Sequence, residues 1–164
     1  MQYPIYALLI GAGATLLMDL WGIARTRLLR VPAMSYGLVG RWLAYLPRGR
    51  FRHSPIAASP PVRGELLVGW TAHYAIGIVF AATLLALFRS DWACHPTLGP
   101  ALLVGIVSVA APLLLMQPGM GAGIAASRTP NPAAARFNSL LTHTIFGLGL
   151  YLAARVTAPL LCSA

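Results

Sequence analysis

The stretch Leu66-Leu67-Val68-Gly69-Trp70-Thr71-Ala72-His73-Tyr74-Ala75-Ile76-Gly77-Ile78-Val79-Phe80-Ala81-Ala82-Thr83-Leu84-Leu85-Ala86-Leu87-Phe88 holds no Asp, Glu, Lys or Arg. A membrane-spanning helix needs about 20 consecutive, mostly apolar residues, so this run is long enough to cross a bilayer. Near its start lies His73, with Gly77 four residues on, and the same pair recurs at the same spacing as His143 and Gly147.

Working outward, the composition places the whole chain in the same class. Of 164 residues, 58% are hydrophobic and 9% charged, with a mean hydropathy of +0.73. Soluble domains carry about a quarter charged residues, so this chain has too little polar surface for a water-soluble globule. Its net charge of +9 comes from 12 arginines against three acids. In a soluble chain that excess points to nucleic acid. Beside apolar spans it points to membrane orientation and anionic lipid headgroups, and no nucleic-acid partner is expected.

The spans predicted from hydropathy are 3–23, 66–88, 98–116 and 138–154, in a single membrane domain with inner loops 24–65 and 117–137. The first lacks a basic leader and a small-residue cleavage site, so it reads as a retained helix. Eight arginines (Arg25, Arg27, Arg30, Arg41, Arg48, Arg50, Arg52 and Arg63) separate the first two spans, and Arg128 and Arg136 precede the fourth. Only Arg89 and Arg155 fall on the other side. By the positive-inside rule the two arginine-bearing loops are cytoplasmic and both termini face outward.

Within the first loop, Leu38, Val39, Trp42, Leu43 and Leu46 recur at helical spacing, which predicts a short interfacial helix over 35–46. The following proline-punctuated stretch, 48–61, reads as a basic loop in which His53 is expected to be exposed. Arg25, Arg27, Arg41, Arg48, Arg50 and Arg52 are the candidate lipid-headgroup contacts, since guanidinium suits phosphate. Pro112 predicts a kink in the third span. On the outer side, Cys94 and Cys162 are candidates for a disulfide in an oxidising compartment, with Asp91 and His95 in a solvated loop.

Three echoes occur in the same order along the chain. Leu16-Leu17-Met18-Asp19 resembles Leu114-Leu115-Met116-Gln117, Gly22-Ile23-Ala24-Arg25 resembles the segment from Gly123 to Arg128, and His73 with Gly77 resembles His143 with Gly147. The expected fold is therefore all-α and integral to the membrane, with four transmembrane helices as two duplicated hairpins about an axis along the membrane normal.

Depth then selects the candidate site. Along their helices, Asp19 lies roughly 9 Å from Arg25, His143 roughly 10 Å from Arg136 and His73 roughly 15 Å from Arg63. Gln117 closes its span on that same side. These four form a polar layer in the cytoplasmic half, with Glu65 and Asn138 just below it. Polar groups at that depth cost a few kcal/mol unless paired, so Asp19 is expected to meet His73, and Gln117 to meet His143.

Three functions fit such a layer. In the first it binds or transports a small solute, a proton or a lipid headgroup, with His changing charge near neutral pH. In the second, His73 and His143 ligate one haem b or a metal, the glycine after each His leaving room for a macrocycle. In the third the layer only fixes helix register in a scaffold subunit. Hydrolase, P-loop and dinucleotide signatures are missing and three acids leave little room for paired-carboxylate chemistry, so catalysis is not expected. Small-residue faces allow a homo-oligomer or a larger membrane complex.

Met18-Asp19-Leu20-Trp21, Val39-Gly40-Arg41-Trp42, Gly69-Trp70-Thr71-Ala72-His73-Tyr74, Met116-Gln117-Pro118-Gly119, the segment Ala125-Ala126-Ser127-Arg128-Thr129-Pro130-Asn131-Pro132, and Thr142-His143 with Phe146-Gly147 together resemble a bacterial membrane family, domain of unknown function 2938. The resemblance covers nearly the whole chain. It implies a multi-pass protein of the bacterial inner membrane and brings no activity, substrate or catalytic residue.

Overall fold

A computed structural model describes residues 3–31 and 34–162. Among them the structure is helical, without strands: α1 (Tyr3–Leu29), α2 (Tyr36–Tyr45), α3 (Glu65–Phe88), α4 (Leu98–Ser108), α5 (Gln117–Met120) and α6 (Pro132–Leu161). Four helical stretches, Tyr3–Leu29, Glu65–Phe88, Leu98–Met120 and Pro132–Leu160, are long and apolar enough to cross a membrane. The terminal residues whose outward placement the arginine pattern predicts, 1–2 and 163–164, lie outside the described residues.

The helices overrun the spans predicted from hydropathy where the arginines begin. α1 continues through Arg25 and Arg27, because arginine ends an apolar window yet is a good helix former. α6 starts six residues earlier than predicted. Asn131 accepts the Ala134 N–H at 3.0 Å as an N-cap, and Pro132 occupies the first helical position, where its missing N–H costs nothing. At Pro112, where the sequence predicts a kink, the structure has a π-helical turn, Pro112–Met116, that leads into α5.

Packing divides the chain into two units. The first comprises residues 1–33, 74–108 and 141–164, and the second residues 34–73 and 109–140. In the first unit, Tyr6, Ile10 and Ala14 of α1 join Leu84 and Leu85 of α3, Val104 of α4, and Phe146 and Leu150 of α6 in one core. Small residues let the backbones approach: a methyl group built on Gly11 would lie 2.5 Å from the Ile78 Cα, and one on Gly147 would lie 2.9 Å from the Ala101 carbonyl oxygen. Such close crossings let dispersion and backbone contacts hold helices in lipid, where no hydrophobic force drives them together. The outward residues Leu67, Val79, Leu87, Leu103 and Val107 are exposed, as a lipid-facing surface requires. Cys94 and Cys162 form a disulfide, with Cα atoms 5.7 Å apart. Asp91 and His95 in the adjoining loop are exposed, while Trp92 is buried in the core.

The second unit is built on α2. The helix predicted there forms, with Ser35 as N-cap. Its Trp42 and Tyr45 pack with Ile56, Met116 and Met120. Two expectations for this segment are corrected. His53, expected exposed, is buried: its Nε2 donates to the Arg50 carbonyl at 3.3 Å, its Nδ1 lies 2.9 Å from the Ser59 hydroxyl, and its N–H donates to the Gly119 carbonyl at 2.9 Å. A loop residue without periodicity gives no local sign of such long-range contacts. Arg41, expected at lipid headgroups, is spent inside the protein. Its guanidinium donates to both Glu65 oxygens at 2.8 Å and to the Ser59 and Ala57 carbonyls at 2.9 and 3.4 Å. Glu65 also accepts the Val62 N–H at 2.9 Å and is thereby committed to structure as well. The hydrogen bonds that Arg41 donates to Glu65 hold its guanidinium above its ordinary pKa, so it stays charged at any physiological pH.

Lysine has no planar fork to span both carboxylate oxygens and reach two carbonyls. Arg41→Lys should therefore lower the thermal midpoint in detergent almost as far as Arg41→Ala. A lysine variant melting with the native protein would show that charge alone suffices.

Candidate functional site

Each predicted polar residue has a defined position. In the first unit, Asp19 stands within α1, where its Oδ2 accepts the Tyr74 hydroxyl at 3.0 Å. His143 of α6 meets α4 through Ser108, whose Oγ lies 2.7 Å from the His143 Nδ1 and 2.6 Å from the Gly105 carbonyl oxygen. A carbonyl only accepts, so the one serine proton goes to Gly105 and His143 carries its hydrogen on Nδ1. Ser108 is 2% exposed, so this pair is braced within the helices rather than presented as a nucleophile.

In the second unit, His73 lies in an aromatic nest. Its Nε2 is 3.0 Å from the Tyr36 hydroxyl, and the Tyr36 ring sits 4.5 Å from the imidazole and 4.2 Å from Trp70, centroid to centroid. Gln117 donates to the Ser139 hydroxyl at 3.4 Å, and its buried Oε1 has no hydrogen-bond partner among the described residues. Asn138 is half-buried beside Ser139 in sequence. Of the remaining candidate headgroup arginines, Arg27, Arg48, Arg50 and Arg52 are exposed and Arg25 is half-buried.

The partners are new: in the first unit Tyr74 for Asp19 and Ser108 for His143, and in the second Tyr36 and Trp70 for His73 and Ser139 for Gln117. Trp70 precedes His73 by three residues and shares its helical face, so its role follows from spacing. Tyr36 reaches His73 only because Gly40 and Gly69 bring α2 onto α3, which no local pattern announces.

The glycine after each histidine is used for helix packing. A methyl group on Gly77 would collide with the Thr15 hydroxyl, and one on Gly147 would meet the Leu102 Cα at 3.1 Å. Both glycines are thus explained without a macrocycle. Among the described residues no three His, Cys, Asp or Glu side chains cluster as a metal site.

A family model described as "Protein of unknown function (DUF2938)" matches residues 8–157. The chain belongs to this family. The match takes in Asp19, His73, Gln117 and His143, and every helix except the ends of α1 and α6. No curated protein and no solved structure matches the chain. The family stretch from Ala125 to Pro132 corresponds to a strained turn followed by the α6 cap. Ala125 and Ala126 both take positive φ, at 49° and 59°, and Arg136 Nε holds the Ala125 carbonyl at 2.7 Å. Left-handed backbone costs a non-glycine residue roughly 1–2 kcal/mol, so this turn depends on its surroundings to persist.

Proposed function

We propose that this DUF2938 protein is a non-enzymatic binding or transport module of the bacterial inner membrane, using its intramembrane polar residues to take up a small solute, a proton or a lipid headgroup. The observation that carries the proposal is Asp19, an ionisable carboxylate inside a helix apolar enough to span the bilayer, hydrogen-bonded to Tyr74. Carboxylates at such depth are expensive and mark proton or substrate pathways. The same proposal has both termini outside, α2 lying at the cytoplasmic interface, and the four spans arising as two duplicated hairpins. The duplication gains support from the glycine that follows each histidine by four residues: Gly77 packs on Gly11 of the preceding span, and Gly147 on Gly105.

A scaffold reading has one observation in its favour. Asp19, His73, Gln117 and His143 each have a hydrogen-bond partner within the protein, as register-fixing contacts would. The proton separates the two. The chain has only three acids, with Glu65 held by Arg41 and Asp91 exposed, so in an infrared difference spectrum the Asp19 band is the carboxyl band that remains when the spectrum of Asp91→Asn is taken as the background. Acidifying reconstituted protein should produce such a band, and Asp19→Asn should abolish it together with the accompanying proton uptake. If Asp19→Asn merely melts earlier and leaves the spectrum and uptake unchanged, Asp19 is scaffold.

A further inference from the structure

Between α2 and α3 the chain folds back to enclose an open cleft of about 410 Å³, lined by Arg50, Arg52, His53, Ser54, Pro55, Ala58, Ser59 and Pro60. Two guanidiniums and the Ser54 hydroxyl supply donors, Ser59 being engaged by His53, and no lining residue is acidic. Glu65, the one carboxylate of this unit, is fully occupied by Arg41.

The cleft is also braced. His53 sits beneath it with both ring nitrogens engaged, Nε2 on the Arg50 carbonyl and Nδ1 on Ser59, so it ties the two sides of the loop together. Its carbonyl and the Pro55 Cα stand where a side chain at Gly121 would be, 2.7 and 3.0 Å from a methyl group there, and Gly121 has φ of +98°. The Tyr45 ring, itself hydrogen-bonded to the Pro60 carbonyl at 3.1 Å, supports the Arg50 guanidinium at 5.2 Å from its centroid. The Arg50 guanidinium is thus held over Tyr45, and Arg52 lines the same cleft two residues on.

We propose that Arg50 and Arg52, positioned by His53, form an oxyanion site that binds a phosphate group, borne by either a lipid headgroup or a soluble phosphate. Guanidinium recognises phosphate through paired charge-assisted N–H···O bonds, and two such groups without a competing carboxylate select an anion of that size and charge. The site is independent of Asp19: its residues all lie in the loop, and its loss leaves the intramembrane reading intact.

The test uses the full chain in phosphatidylcholine nanodiscs titrated with inorganic phosphate at constant ionic strength, and in nanodiscs containing phosphatidylglycerol examined by native mass spectrometry for retained lipid. Arg50→Gln/Arg52→Gln should weaken binding by at least about tenfold, since hydrogen bonds to charged groups contribute on that scale. Arg63→Gln should not: Arg63 is exposed in the same unit but does not line the cleft. Saturation by inorganic phosphate identifies a soluble ligand. Retention of phosphatidylglycerol without phosphate saturation identifies a headgroup. The proposal fails if neither probe binds saturably, or if Arg63→Gln loses as much as the double variant, which would mean diffuse charge. Should the double variant lose helix content, Arg52→Gln alone, at an exposed position, answers the same question.

Discussion

Alanine at Gly69 should destabilise the protein by about 3 kcal/mol and detach α2 from α3. The upper end of the range for overpacking applies because the colliding atoms belong to the backbone and no rotamer can relieve them. A methyl group on Gly69 would lie 2.7 Å from the Tyr36 carbonyl carbon and on top of its oxygen, and one on Gly40 would lie 2.6 Å from the Gly69 nitrogen. Both substitutions strike the same crossing. Separation there removes the support of the Arg41–Glu65 pair and moves Tyr36 away from His73, so the imidazole environment changes with stability. Gly22→Ala is the control. Nothing lies within 4 Å of a methyl group at Gly22, and alanine's better helix propensity should leave stability unchanged or raise it by up to about 1 kcal/mol. Denaturation followed by tryptophan fluorescence, with Trp70 and Trp42 close to the crossing, measures both. Equal midpoints for Gly69→Ala and Gly22→Ala would mean that α2 is not seated on α3 as described.

What was legible in the sequence follows the range of the interactions involved. α3 could be read at once, because an uncharged run of its length has one physical solution in lipid. Pro112 likewise acts through its own missing N–H. The start of α6 was written in Asn131-Pro132, an N-cap followed by a residue suited to the first turn, but a hydropathy window passes over it. His53 and Arg41 depart from expectation for a different reason: both sit in a strongly basic segment, where charge density suggests lipid, and their burial depends on Gly119, Glu65 and Ser59, between 6 and 66 residues away. The site residues divide in the same way. The histidines and Asp19 stand out by their cost in an apolar helix, whereas Tyr36 and Ser108 become visible only when glycine crossings bring their helices alongside.

Removing the Cys94–Cys162 disulfide should be the other large perturbation, and it bears on orientation. The bond closes a segment with a sequence separation of 68 residues. For a free unfolded chain, loop entropy assigns such a closure roughly 4 kcal/mol. In a bilayer the opened state keeps its helices inserted and hydrogen-bonded, so less freedom is regained. Cys94→Ser should therefore cost about 2 kcal/mol, with Cys162→Ser equal to it and the double variant no worse, since either substitution removes the same constraint. Each single variant removes one of the two sulfur contacts of the Tyr6 hydroxyl, at 3.9 Å from Cys94 and 3.8 Å from Cys162, so the two single variants make an even comparison. Non-reducing electrophoresis after alkylation reports whether the bond exists in the cell. Sidedness follows from the same chemistry: if the fourth span ends outside, as proposed from the arginines, a membrane-impermeant reductant added to spheroplasts should open the bond and expose both thiols to an impermeant maleimide. Opening only after the membrane is breached would place Cys94 and Cys162 inside and reverse the orientation inferred from the arginines.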